Sequence, residues 1–266
     1  MKKNIIIFST LIAFISISAF TYKKWNSTQN FDLNPQNPQN SVFFDKYLFK
    51  TLDNAIYYNV ESRFKLTVSK DKLSNPTTFL DTFSKIANES SENISSTSIA
   101  KLKEDMLPFK SEDAENNSLN ESQIKLLKSL DYQDNVLLKI LIKKENPNTG
   151  KNVTRLLTHY LTIVPEKVAE YSLGKEAFID FIRKNTVSET QNIKKDKIGS
   201  GRISFVVKED GEIANLKIDN ESKLKTLDDK LLKLLNNSPG KWNPARNALG
   251  EPVAQELIFF FGNQGC

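Results

Sequence analysis

Histidine and cysteine each occur once in 266 residues, as His159 and as Cys266 at the C-terminus. That scarcity excludes much enzymology. A Ser-His-Asp triad would have to use His159, a Cys-His dyad would need a terminal thiol, and no zinc site of ordinary Cys/His spacing is available. A single thiol also rules out an internal disulfide. Neither sign of charge is in large excess: 37 Lys+Arg against 32 Asp+Glu gives +5, spread along the chain. No stretch combines clustered Lys/Arg with interleaved aromatics, so no nucleic-acid groove is expected. With 39% hydrophobic and 26% charged residues, the chain is neither polytopic in a membrane nor disordered. Its length suits one or two domains with a sizeable core. Carboxylate chemistry and binding without chemistry remain.

One long uncharged run is present. Lys2 and Lys3 precede Asn4 to Tyr22, which carries no charged side chain, and Lys23 and Lys24 stop it. As a helix, its length roughly matches a hydrocarbon core of about 30 Å. The run is either a single membrane anchor or a signal segment, for which Ser16 and Ser18 would be the small residues before cleavage. The lack of an Ala-x-Ala and the immediate Lys23-Lys24 favour the anchor. Residues 1–24 are therefore expected to form a single-pass membrane anchor or a signal segment, with everything after about Trp25 exported. Residues 25–40, twice interrupted by proline at Pro35 and Pro38, read as a short extended tether.

Residues 41–170 read as a middle α+β domain. Val42, Phe43, Phe44, Tyr47, Leu48, Leu52 and Ile56 suggest a helix, Arg63 to Val68 a strand, and Thr77 to Ala87 a helix buried through Phe79, Leu80 and Phe83. Residues 88–122, with eight acidic side chains against three lysines, read as a solvated insertion or loop. Asn120 and Gln123 resemble a capping pair for a helix through Ile124, Leu127 and Leu130. Val136–Ile142 and Leu156–Val164 flank Asn146 to Gly150 as a hairpin with a long turn. His159 lies on the second strand in phase with Leu157, Leu161 and Ile163, a strand-face histidine with a local partner rather than a proton carrier. No triad assembles around it.

Residues 171–266 are more informative. Phe178, Phe181 and Ile182 mark a short amphipathic helix ending near Asn185. Gly201 to Ile218 read as a hairpin about Asp210-Gly211, with a two-residue type I′ turn. That turn would set Glu209 against Glu212, Val207 against Ala214, Phe205 against Leu216 and Ile203 against Ile218, with Val206–Asn215 and Ser204–Lys217 on the polar face. A one-sided sheet needs a cover. Leu224, Leu227, Leu231, Leu234 and Leu235 supply one at helical spacing, with Lys225, Asp228, Asp229, Lys230 and Lys233 opposite, before Asn236 to Gly240 end the helix. Trp242, expected to pack over that helix, Pro244, the turn Gly250-Glu251-Pro252 and a third strand from Val253 to Phe261 complete the domain.

This order resembles the C-terminal domain of the TonB family: strand, Asp210-Gly211 turn, strand, Leu-rich helix with Leu227-Asp228, Trp242-Asn243-Pro244-Ala245, Gly250-Glu251-Pro252-Val253, final strand. The resemblance covers about a third of the chain, and the Asn/Lys/Ile-rich style suggests Bacteroidetes-type relatives. With the readings above, the expected fold is an α+β chain with one N-terminal membrane helix, a middle domain and a C-terminal TonB-like three-stranded antiparallel sheet covered by helices on one face. The resemblance implies an inner-membrane protein of a Gram-negative cell, reaching into the periplasm and meeting outer-membrane transporters by adding a partner strand to its sheet edge.

Two features separate the chain from an energy transducer of that family. Asn4–Tyr22 contains no histidine, and the long Pro-rich spacer is replaced by a tether of about fifteen residues. Fully extended, fifteen residues span about 50 Å. The expected function is therefore non-enzymatic binding of an extended segment of an envelope protein, an outer-membrane transporter being one candidate. The alternative is energy transduction from a proton-driven motor. Partner contacts are expected along the last strand, at Val253, Ala254, Gln255, Glu256, Leu257 and Ile258, because an uncovered antiparallel edge invites a strand. A dimer mate could cover the same edge. Asp210, Gly211, Trp242, Pro244, Gly250 and Pro252 are expected to be structural. No cofactor or metal is expected. An enzyme using two carboxylates would need an apposed pair, and no pair stands out.

Overall fold

The computed structural model describes residues 56–89, 94–145, 150–194 and 197–263. The run Asn4–Tyr22, the tether, the helix expected from Val42, most of the 146–150 turn and Cys266 lie outside them. Ile56–Cys266 form one compact unit.

The chain order is β1 (Tyr57–Glu61), β2 (Leu66–Ser69), α1 (Lys70–Ser74), α2 (Phe79–Thr82), a 3-10 turn (Ser84–Glu89), β3 (Ile94–Leu102), β4 (Pro108–Glu115), α3 (Glu121–Lys128), β5 (Asn135–Glu145), β6 (Asn152–Val164), β7 (Glu170–Tyr171), α4 (Lys175–Asn185), α5 (Val187–Thr190), β8 (Ser200–Val207), β9 (Ile213–Asn220), α6 (Lys225–Asn236), β10 (Trp242–Asn243), β11 (Ala245–Arg246), β12 (Pro252–Val253) and β13 (Gln255–Gly262). Strand outweighs helix, and the strands form several sheets. This corrects the expected architecture. Among the described residues no helix is long and apolar enough to cross a membrane. The C-terminal sheet has four strands, not three.

In the five-stranded sheet, ordered β2-β6-β5-β3-β4, only the β2–β6 pairing is parallel. The β5–β6 hairpin lies where alternation places it. Residues 94–115, read from their polar composition as a solvated insertion, instead supply β3 and β4. Polar strands pass unnoticed in composition, but β3 buries Ile99 on one face and Ala100 and Leu102 on the other, and its neighbours on both sides satisfy its backbone. A core of Phe79, Ile99, Leu126, Leu127, Leu138, Ile140 and Ile163 fills this part of the unit. Asn120 caps α3 as expected, its side-chain oxygen accepting from the Gln123 amide at 2.9 Å. The helix expected over Thr77–Ala87 is reduced to α2 and the 3-10 turn.

The second sheet is ordered β1-β13-β8-β9, antiparallel throughout. Helices α4 and α6 cover one face. Phe178, Ile182, Leu227, Leu231 and Leu235 are fully buried against Ile203, Phe205, Val207, Phe259 and Phe261. Asp228, expected on the solvent side of α6, is buried instead. Its carboxylate accepts from the Ser222 amide at 3.2 Å and the Ser222 hydroxyl at 2.6 Å, anchoring the start of the helix.

The hairpin turn differs from expectation in an instructive way. The Gly211 amide donates to the Lys208 carbonyl at 3.0 Å, and the Lys208 amide to Glu212 at 2.9 Å. Gly211 has φ 82°. This is a three-residue loop ending on a left-handed glycine, not a type I′ turn. It sets Val206 opposite Ala214 and Val207 opposite Ile213. A bulge at Asn215, φ 52°, then restores the expected pairs Ser204–Lys217 and Ile203–Ile218.

Candidate functional site

Of the residues expected to be structural, Gly211, Trp242 and Pro244 meet at the hairpin turn. A β-carbon on Gly211 would lie 2.2 Å from the Trp242 carbonyl oxygen, so turn and tryptophan are in backbone contact. Trp242 lies in the same buried core as Leu227, Leu231 and Leu235 of the Leu-rich helix. It stands in an aromatic cluster, edge-on to Tyr171, Phe178 and Phe205 with centroids at 5.5, 5.3 and 5.4 Å, and pairs with Tyr171 across β10–β7. Pro244 separates β10 from β11. Ala245 and Arg246 pair with Val253 and Pro252, so the two proline motifs form one small hairpin about Gly250 (φ 78°). Asp210 accepts from the Glu212 amide at 2.9 Å. That bond, with the Lys208 ammonium, holds its carboxyl below the usual range.

The expected partner-binding residues are arranged differently from a free edge. Val253 belongs to β12, and Ala254 separates it from β13. β13 is an interior strand. It pairs with β8 from Gln255 to Gly262, and on its other flank Ile258 to Gly262 pair with Glu61 to Tyr57 of β1. The edge position expected for the last strand is therefore taken by five residues from earlier in the chain. Tyr58 and Val60 turn inward into the core, Tyr58 stacking on Phe259 at 6.0 Å. The Tyr58 and Thr186 hydroxyls are 2.8 Å apart. Thr186 Oγ1 donates to the Ile182 carbonyl, so the tyrosine is the donor. Burial raises the Tyr58 pKa.

Three of the expected residues, Gln255, Glu256 and Leu257, extend beyond the end of β1. Gln255 is buried, its side-chain oxygen accepting from the Ala169 amide at 2.7 Å. Glu256 meets the guanidinium of Arg63 at 3.2 Å, and Arg63 also meets Asp219 of β9 at 3.2 Å. This half-buried ion-pair hub turns the chain away from β13 after Glu61. Beside Leu257 a cavity of about 270 Å³ opens, lined by Val60, Ser62, Phe64, Val168 and Trp242. The helix-free face of the sheet carries a second, polar cleft of about 850 Å³, lined by Arg63, Arg202, Lys217, Asp219 and Glu256 from one side and by Glu104, Asp105 and Gln133 from the other.

Among the described residues no group of three or more His, Cys, Asp and Glu is placed to hold a metal ion. His159 stands on β6 opposite Leu138. Sequence reasoning missed β1 and Arg63. Alternation of Tyr58 and Val60 with Asn59 and Glu61 was the available signal, hidden because Ile56 also extends the amphipathic pattern upstream. Comparisons with protein-family models, with curated proteins and with solved structures return no match to this chain.

Proposed function

We propose that this protein is a non-enzymatic binding protein of the cell envelope, TonB-like in its C-terminal part, and works on the periplasmic side of the inner membrane. It holds an extended segment of another envelope protein by adding that segment, antiparallel, to the sheet at β13. An outer-membrane transporter is the partner class that the family resemblance suggests. One observation carries this reading: the flank of β13 already accommodates an antiparallel strand, β1, with two side chains inserted into the core and three along the outer face. Main-chain pairing supplies affinity for any extended segment, while alternate side-chain pockets select which one.

The test is capture of partners from detergent-solubilised envelope with the full chain, followed by hydrogen exchange on the recovered complex. Strand addition predicts new protection over Gln255–Leu257 and changed protection over Tyr57–Glu61. A captured partner that leaves both stretches unchanged, or a substrate turned over by the purified chain, overturns the reading.

A further inference from the structure

The occupant of the β13 flank carries information about what else would fit there. We propose that β1 is a displaceable resident strand. An incoming segment enters at Gln255–Leu257 and replaces β1, presenting an aromatic, a β-branched and a larger apolar residue at alternate positions. This rests on the strand-binding function above and adds its regulation and the chemistry of its partner.

Three observations converge. First, the pairing is uneven. β13 is paired with β8 along its whole length but with β1 only from Ile258 onward, leaving a three-residue stretch where a second antiparallel strand can begin. Second, the inward positions of β1 define a template. Tyr58 packs on Phe259 and Val60 is buried in the same core, so a competing strand must supply an aromatic and a β-branched side chain two residues apart. Third, the next inward position is filled poorly. Ser62 lines the cavity of about 270 Å³ beside Leu257 and Trp242. A strand with leucine at that position fills space that the resident leaves open. The competitor therefore gains at the cavity and along Gln255–Leu257, two places where β1 makes no use of the sheet. Arg63, paired with Asp219 and Glu256, lies beside the same stretch and gives up Glu256 as the incoming strand begins there.

The experiment uses the full chain with Asn59→Cys, Phe260→Cys and Cys266→Ser. Asn59 and Phe260 are directly opposed antiparallel partners, within the separation a disulfide spans. Oxidation locks β1 in place and dithiothreitol frees it. The probe is a fluorescein-labelled synthetic peptide with the sequence of residues 57–65 carrying Ser62→Leu, read by anisotropy. Binding to the reduced protein should weaken at least about tenfold on oxidation and return with dithiothreitol, because apparent affinity scales with the fraction of protein in the competent state. The unsubstituted peptide should bind more weakly, and Val60→Ala in the full chain should tighten binding severalfold by loosening the resident. Equal binding in both redox states overturns displacement. So does no binding to either the reduced protein or the Val60→Ala chain. Envelope partners captured equally by the locked and unlocked proteins overturn displacement alone, with strand binding then resting on another edge. An unlocked protein that captures partners without the exchange signature overturns the strand-binding function itself.

Discussion

Replacing Gly211 by alanine should be far more damaging than replacing Gly250, although both glycines sit at nearly the same left-handed backbone angle, φ 82° and 78°. An L-residue in that region costs about 1–2 kcal/mol. Alanine returns roughly 0.4–1 kcal/mol by restricting the unfolded chain. Gly250 has open space around its would-be β-carbon, so Gly250→Ala should cost no more than about 1.5 kcal/mol. At Gly211 the same atom would lie 2.2 Å from the Trp242 carbonyl oxygen, backbone that is fixed on one side by the β10–β7 pairing and on the other by Pro244. Relieving that contact means moving the turn or the tryptophan out of its aromatic cluster, and overpacking of this kind costs a further 1–3 kcal/mol or so. Urea unfolding of the two variants, compared at matched slope, measures the difference directly. A Gly211→Ala midpoint no lower than that of Gly250→Ala would refute the claim that turn and tryptophan are rigidly coupled.

Trp242→Ala should cost about 3–5 kcal/mol, while Trp242→Phe should cost distinctly less, because the indole N–H has no hydrogen-bond partner among the described residues and the residue acts through packing; thermal unfolding separates the two. Asp228→Ala should cost about 1–3 kcal/mol by leaving the Ser222 amide and hydroxyl without their acceptor, and the loss should be less than additive with Ser222→Ala. Tyr58 should ionise later than exposed tyrosines in a 295 nm titration. Since its folded pKa is raised by burial, its contribution to stability is present below the ordinary tyrosine value of about 10 and is lost as pH rises through the folded value. Tyr58→Phe should flatten that alkaline loss.

How much of this was legible in sequence depends on whether local chemistry or a distant partner decides each element. Helix α6, the β5–β6 hairpin and the Asn120 cap follow from spacing and short-range hydrogen bonds, and they lie where the pattern puts them. The Asp210-Gly211 turn was found, but its type was not, because a dipeptide compatible with two loop lengths does not encode the Asn215 bulge that corrects the register. Strands β3 and β4 were hidden by Ser, Asn and Glu, whose low hydrophobicity signals a loop until neighbouring strands satisfy their backbone. The expected binding strand Val253–Ile258 is split between β12 and β13, and β13 is interior to the sheet rather than at its edge. Whether a strand is an edge depends on what pairs with it, and the pairing partner here lies almost two hundred residues away.

That long-range pairing sets the energetics of the candidate site. Fixing the five backbone residues of β1 costs about 5–10 kcal/mol in conformational entropy. Burying Tyr58 and Val60 gives back about 3–6 kcal/mol, at 1.5–3 kcal/mol for each side chain. The difference must come from the ladder to β13 and the Tyr58–Thr186 hydrogen bond, each hydrogen bond contributing about 0.5–1.5 kcal/mol net. The resident strand stays in place without competition. It yields to one that makes the same ladder, extends it over Gln255–Leu257 and fills the cavity beside Leu257. Deepening the resident's own hold should therefore oppose binding. Ser62→Leu in the chain itself, which lets β1 use that cavity, should raise the unfolding midpoint and weaken the peptide in the same experiment. A variant that stabilises the fold yet binds the peptide as well as the parent would show that the peptide does not compete with β1.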